Sequence, residues 1–442
     1  MSATRVRPSL ESFGVGIGCP ATGQFTSLDT GNLENVAEVP RRSNVSDMNF
    51  DYVVVGGGIV GLTVAREIAG RSMGSVAVFE KEPRLGAHGS GRNSGVIHAG
   101  IYYKPATLRA QICRDGARRM REYAAERDVC WNKSGKVIVA TTAAAVGQID
   151  VLLERALANG IRVERIGSDE LSRLEPEART HEVALHSPDT AVIDPLEVLA
   201  ELRADLGMAG VTVRVGCGVT GIDESSRTVR TAEGPVGFGT LINAAGLHAD
   251  RVARSMGVGR AYQIMAFRGA YRELAPAAAG RFRGSVYPTP DLRMPFLGVH
   301  ITPDPRGRVF VGPTAMPALG REHYGKIAGL DPVEAARTAT ALGLMLATNR
   351  NGMRGLVRAE MRRYSAAGFL REARALAPGL RAEDIGRVCK IGLRAQLVNR
   401  KTRELVDDYV FERTKHSLHV LNATSPAFSS AFALAEMIVD EL

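Results

Sequence analysis

Residues 52–61 read Tyr52-Val-Val-Val-Gly-Gly-Gly-Ile-Val-Gly61, and Glu80 closes the next apolar run. A short buried strand here ends in Gly56-x-Gly58-x-x-Gly61 and passes directly into a helical pattern, Leu62 to Ile68. Gly56 permits a tight turn, Gly58 lets a pyrophosphate approach the backbone, and Gly61 lets the helix lie close to the strand. The helix N-terminus then offers unpaired N–H groups and the positive end of its dipole to the phosphates. Glu80 stands 24 residues after Gly56, where an acid can accept hydrogen bonds from a ribose. This arrangement predicts a dinucleotide site. Lys81, beside Glu80, is expected at the same ligand.

Gly216-x-Gly218-x-x-Gly221 matches the same spacing and also follows an apolar run, Val211 to Val215. The residues after it, Ile-Asp-Glu-Ser-Ser-Arg-Thr-Val-Arg, have turn and strand chemistry with no helical period. No helix N-terminus is available there, so this copy is not read as a phosphate site. Val219 within it is nevertheless expected to touch the cofactor.

The chain has 442 residues, which points to two domains rather than one core. The net charge of +9 is spread over scattered arginines with acids between them. Such a balance favours an anionic substrate or surface over nucleic acid. Five cysteines stand far apart, with neither disulfide nor zinc spacing, as suits a reducing, cytoplasmic setting. No apolar run reaches the length of a membrane span. Residues 1–47 lack a sustained period and read as a disordered tail or a misassigned start ahead of Met48.

Between Gly86 and Tyr103 five glycines alternate with His88, Arg92, Asn93, Ser94, His98, Tyr102 and Tyr103. Glycines that dense forbid a regular helix and suggest backbone threading beside a ligand. Ser94 and Gly95 are expected at the cofactor. Leu108 to Glu126, Leu152 to Leu157 and Leu196 to Leu206 read as helices, the last opened by Asp194 as N-cap and Pro195 at the first helical position. Lys136 to Thr141, Val183 to His186, Val211 to Val215 and Ser417 to Leu421 read as strands. The run Thr240 to Gly246 is a buried strand whose small end, Ala245 and Gly246, lets backbone lie against a cofactor. Residues 266–311 alternate strand and turn, residues 330–378 are helical and Arg-rich, and Ala427 to Val439 closes the chain as a helix. Arg350, Arg354, Arg358 and Arg362 form one basic stripe, either a solvated face or a peripheral membrane face.

These motifs, together with Asn93-Ser-Gly-Val-Ile-His-Ala-Gly-Ile-Tyr-Tyr103, Gly135-Lys-Val-Ile-Val-Ala140, Phe267-Arg-Gly269, Tyr287-Pro-Thr-Pro-Asp291, Pro295-Phe-Leu-Gly-Val-His300, Leu393-Arg-Ala-Gln396 and Asn422 to Ser425, resemble the FAD-dependent oxidoreductases of the D-amino-acid-oxidase superfamily. Within it the resemblance is to the L-2-hydroxyglutarate dehydrogenases and oxidases, and it runs from about residue 50 to the C-terminus. Arg92 departs from it, standing where the family usually has His. The resemblance implies an α/β protein. A discontinuous, Rossmann-like parallel-sheet FAD domain takes residues 48–125, 191–256 and 388–442. A second, α+β substrate domain on an antiparallel sheet takes 126–190 and 257–387. It further implies non-covalent FAD, with Asn422 and Ser425 among its contacts. It implies oxidation of an L-2-hydroxy acid by hydride transfer to flavin N5, and electrons passed to a quinone or oxygen. An amine, an amino acid or a secondary-metabolite alcohol is the alternative substrate class, and a dinucleotide-binding sensor the non-enzymatic alternative.

A 2-hydroxy acid must also lose its hydroxyl proton to a base, and near-neutral imidazoles suit that task. His98, in the glycine-rich loop, and His300, after an apolar strand, are the candidates. A dicarboxylate asks for planar cationic forks, for which Arg268 and Arg394 are the candidates. Tyr103 is a candidate substrate contact. No spacing of residues suggests a metal.

Overall fold

The computed structural model describes residues 48–292, 296–349 and 352–442. The expected tail, residues 1–47, and Pro295 and Arg350 of the motifs above lie outside the described residues. Five parallel strands form the spine of one sheet, in the order Thr212–Arg214, Val76–Phe79, Asn49–Val55, Gly234–Asn243 and Ser417–Asn422. Side chains alternate across it with period 2. Val54, Val78 and Ile242 pack under the helices, while Val53, Val55, Phe79 and Leu241 fill the opposite face.

Gly234–Asn243 is the hinge of this sheet. Its first half pairs antiparallel with Thr228–Thr231, which in turn pairs with Val219–Asp223. Its last three residues pair parallel with Ser417–His419. Gly221 therefore lies in a meander strand, and no helix follows the second glycine match. The helices Ile59–Gly70, Pro195–Met208 and Ala431–Asp440 bury Leu62, Ile68, Leu202, Leu434 and Ile438 against the spine. Asp194 caps the second of them, its carboxylate accepting from the backbone N–H groups of Leu196 and Glu197. The closing helix begins at Ala431 rather than at Ala427, because the residues before it turn instead toward a cavity described below.

A second sheet of nine strands stands over the first. Tyr262–Leu274 and Ile385–Asn399 pair along their whole length. The sheet continues through Val309–Gly312, His300–Pro303 and Ser285–Pro288 to Lys136–Val139 and Val183–Ser187. It is antiparallel except where Ser285–Pro288 joins Lys136–Val139 in parallel. Residues 388–399, grouped with the nucleotide half by the sequence reading, thus run in a strand of this second sheet. Among the described residues no helix is long and apolar enough to cross a membrane.

Candidate active site

One cavity of about 790 Å³ lies between the two sheets. Its first end is made of backbone. Gly56 has φ +111°, and a Cβ there would stand 2.5 Å from the carbonyl oxygen of Ala244. A Cβ on Gly61 would stand 2.0 Å from the carbonyl oxygen of Gly56, which is why the helix can seat so close to the strand. The helix Ile59–Gly70 has no acidic residue in its first turn, and Gly58 at its N-cap adds no side chain. Ser90 accepts from the N–H of Ile59 at 2.9 Å. Glu80 holds the turn, accepting from the N–H of Gly57 at 2.8 Å and of Glu82 at 2.9 Å. On the far wall, Asn243 donates to Ala249 O and accepts from Ala245 N, fixing the Ala245–Gly246 turn. Its amide also meets His419, whose pKa burial pushes down to about 4, so that ring is neutral.

The second end is made of side chains from distant segments. His98, Tyr271, Tyr287, Phe296, His300, Glu360 and Arg394 all line it. His300 Nδ1 lies 3.0 Å from the carbonyl oxygen of Gly298, which only accepts, so Nδ1 carries the proton. Burial and then the Lys136 ammonium hold the ring pKa down, to about 3, with the Gly298 contact opposing them. The ring is neutral, and Nε2 presents a lone pair. Among the described residues that Nε2 has no partner, nor has His98 Nδ1. Tyr287 stacks on His300 with centroids 3.9 Å apart. His98 is fixed from the C-terminal segment, its N–H donating to Ser429 at 3.0 Å. Burial, with Lys136 next, holds its pKa well below the usual imidazole value. Arg394 stands with its guanidinium carbon 5.2 Å from the Phe296 ring centroid. Burial and the nearby Arg109 cation lower its pKa to about 10, so it stays charged at neutral pH.

Of the residues singled out in the sequence, Gly56, Gly58, Glu80, Lys81, Ser94, Val219, Ala245, Gly246, His98, His300, Arg394 and Ser425 line this one cavity. Gly61 and Gly95 shape the backbone from behind, a Cβ on Gly95 meeting Ile193 O at 2.5 Å. The Lys81 ammonium is engaged by Glu82 and by Glu322 at 2.7 Å. Arg268 is absent from the lining. Phe267, Gly269 and Tyr271 face the cavity, and the alternation of the strand turns Arg268 away, where it donates to Tyr324 O at 3.2 Å. Tyr103 is also outside the lining, beneath the Arg109 guanidinium at 4.4 Å. Asn422 holds the turn rather than the cavity, donating to Asp408 O at 2.6 Å and Val406 O at 3.2 Å.

Sequence reasoning missed four groups. Tyr287 lay in a quoted motif, and its signal was an aromatic at the end of an apolar strand. Lys136, the one charged residue in the strand Lys136–Val139, is 2% exposed. Arg109 anchors the 425 turn, donating to Ser425 O at 2.7 Å. Glu360 sits on the Arg-rich helix Met353–Tyr364, and its carboxylate is occupied by Ala315 N at 2.7 Å and by Arg363.

The first end fits the adenosine diphosphate half of FAD, since a Cβ at Gly56 or Gly61 would fill the space its turn needs. The wall from Ala423 to Ser429, with Gly392 and Leu393, leaves room for a ring system beside His98 and His300.

The family of FAD dependent oxidoreductases (DAO) matches residues 51–441. The chain belongs to that family. This flavoprotein is 35% identical over 416 residues to the mitochondrial L-2-hydroxyglutarate dehydrogenase of Caenorhabditis elegans, covering 91% of this chain and 95% of the relative. It is 34% identical to the human mitochondrial enzyme of that name, with 90% of each covered. Against the L-2-hydroxyglutarate dehydrogenase of Escherichia coli the identity is 33%, over 89% of this chain and 93% of the relative. In fold it is similar to the FAD-bound L-alpha-glycerophosphate oxidase of Mycoplasma pneumoniae, with TM-score 0.70, 22% identity, and 88% and 94% of the two chains covered. As a member of this family it is an FAD-dependent oxidoreductase.

Proposed function

We propose that this flavoprotein oxidises L-2-hydroxyglutarate to 2-oxoglutarate. The observation that carries the reading is that a neutral imidazole with an open Nε2, His300, lines one cavity with a cationic fork, Arg394. Relatives named for this activity, at 33–35% identity over about nine-tenths of the chain, support the choice of substrate. FAD, when bound, supplies the hydride acceptor. Arg394 binds a substrate carboxylate in the planar, bidentate way an ammonium does not reproduce. His300 Nε2 accepts the hydroxyl proton, and His98 orients the hydroxyl from the opposite segment. Glu360, a carboxylate lining the cavity, is engaged by Ala315 N and Arg363.

FAD is held without a covalent bond, and its electrons leave to a quinone or to oxygen. We place the protein in the cytoplasm, at a membrane face when quinone is the acceptor. Arg354, Arg358, Met361 and Arg362 share the exposed face of the helix Met353–Tyr364, a basic and apolar surface suited to anionic lipid. The test is anaerobic mixing of the purified yellow protein with each of a panel of acids. L-2-hydroxyglutarate is expected to bleach the flavin and yield an equal amount of 2-oxoglutarate, while its D enantiomer leaves it yellow. Bleaching by an amino acid or amine, with none by L-2-hydroxyglutarate, overturns the reading.

A further inference from the structure

Lys136 is an uncommon group to bury. Its residue is 2% exposed, in a strand otherwise made of Val137, Ile138 and Val139. Its ammonium lies 4.8 Å from the Tyr102 ring centroid and 5.2 Å from that of Tyr287. Among the described residues no carboxylate pairs with it; the faces of these two rings and the Cys113 thiol lie nearest its ammonium. A buried cation without an anion is costly, and a cation over an aromatic face recovers only part of that cost. Tyr287 carries the contact onward, since its ring stacks on His300 at the cavity wall.

The titratable groups nearest Lys136 come from four elements, with the Arg109 and Arg394 cations beyond them and the strand Val183–Ser187, which carries His186, paired on its other side. Tyr102 and His98 belong to the glycine-rich loop, Cys113 to the helix Leu108–Glu126, Tyr287 to the neighbouring strand, and His300 to the strand after it. Burial raises Tyr102, Tyr287 and Cys113, the last to about 12, so all three are neutral near pH 7. His98 and His300 are lowered and neutral as well. Lys136 itself is brought down by burial to about 7. It is the one group of this cluster that changes charge in the neutral range.

We propose that Lys136 is a positioning residue that supplies the variable counter-charge of the active site, becoming fully protonated when the anionic substrate enters beside the Tyr287–His300 stack. This rests on the reading that the cavity takes L-2-hydroxyglutarate. Before binding, the cluster holds an ammonium only in part. A carboxylate entering a low-dielectric cavity favours the charged form of a nearby amine, so solvent delivers a proton to Lys136 as the acid binds. The substrate carboxylate remains on Arg394, and Lys136 acts through the rings rather than by contact.

The probe is 2-oxoglutarate, titrated into the FAD-loaded protein and followed by the flavin spectrum and by calorimetry in buffers of different ionisation enthalpy. At about pH 8, one unit above the Lys136 value, binding should take up most of one proton per site. Lys136→Met, which keeps the length without the charge, should bind 2-oxoglutarate at least about tenfold more weakly and take up no proton. Its flavin content should match wild type. Lys136→Arg, always charged, should regain much of the affinity but still take up no proton. Affinity and uptake unchanged in Lys136→Met overturn the proposal. If Lys136→Met does not fold, wild type decides alone: no proton uptake between about pH 7 and 8 overturns it. A wild-type protein whose flavin L-2-hydroxyglutarate does not bleach refutes the substrate reading instead.

Discussion

The two ends of the cavity are built on opposite principles. The glycine-turn end is built around one contiguous turn, Gly56 to Gly61, braced by Glu80, Ser90 and Asn243, and its character lies in atoms that are missing: the Cβ positions already filled by Ala244 O and Gly56 O. The reacting end is a convergence of side chains from residues 98, 287, 300 and 394, on the glycine-rich loop and three strands of the second sheet. The first end tolerates almost no change in backbone and has little side-chain chemistry to lose. The second has chemistry to lose at single atoms, on a backbone that would remain intact. Affinity for cofactor and turnover of substrate should therefore separate cleanly in mutants.

The sharpest way to break that comparison is at Gly61. Gly61→Ala forces a Cβ to 2.0 Å from Gly56 O, a backbone atom that cannot swing aside. Strain of about 3 kcal/mol or more is expected, with loss of most bound FAD and a lower Tm. A normal flavin-to-protein ratio would show that the turn has more slack than the structure describes. His300→Gln should leave FAD content unchanged and lower the rate of flavin reduction by about 10²–10⁴-fold, the range for removing a general base. If His98→Gln has the larger effect, the two histidines exchange roles. Arg394→Met should cost about 2–4 kcal/mol in kcat/KM, the scale for truncating one partner of a buried charge pair, and Arg394→Lys should recover little of it. The smallest effect belongs to Arg268→Met. It loses one hydrogen bond to Tyr324 O, about 1 kcal/mol of stability, with kcat/KM within a few-fold of wild type. A large drop in kcat/KM for that variant would bring Arg268 into the site despite its outward face.

The same contrast explains what could be read from sequence. A turn whose requirements are steric and local is written in adjacent residues, so the strand–turn–helix at Gly56, Gly58 and Gly61 was legible, as was the Asp194–Pro195 helix start; the expected ribose acceptor Glu80 instead braces the turn, accepting from Gly57 N and Glu82 N. The second glycine match could be dismissed because the helix it lacked is also local. The reacting end depends on which way a strand alternates and which strands meet. Arg268 looked like Arg394 in its motif, and only the facing of Phe267, Gly269 and Tyr271 separates them. The boundary drawn at residue 388 divided the strand Ile385–Asn399, because its pairing with Tyr262–Leu274 is a contact between segments over a hundred residues apart. Lys136 was hidden for the same reason. A lysine at the start of an apolar run reads as a strand end at the surface until the Tyr287 strand is laid beside it.

The strand Gly234–Asn243 completes its pairing only with Ser417–His419, and the cavity wall from Val420 to Ser429 follows directly. For the ribosome this sets an order of events. The glycine turn emerges early, but the wall from Val420 to Ser429 is synthesised more than three hundred residues later. Until then Leu241–Asn243 is an unpaired sheet edge. A chain ending before Ser417 would lack both the strand that pairs with Leu241–Asn243 and the wall from Val420 to Ser429, and it is expected to retain less flavin per protein than the full chain.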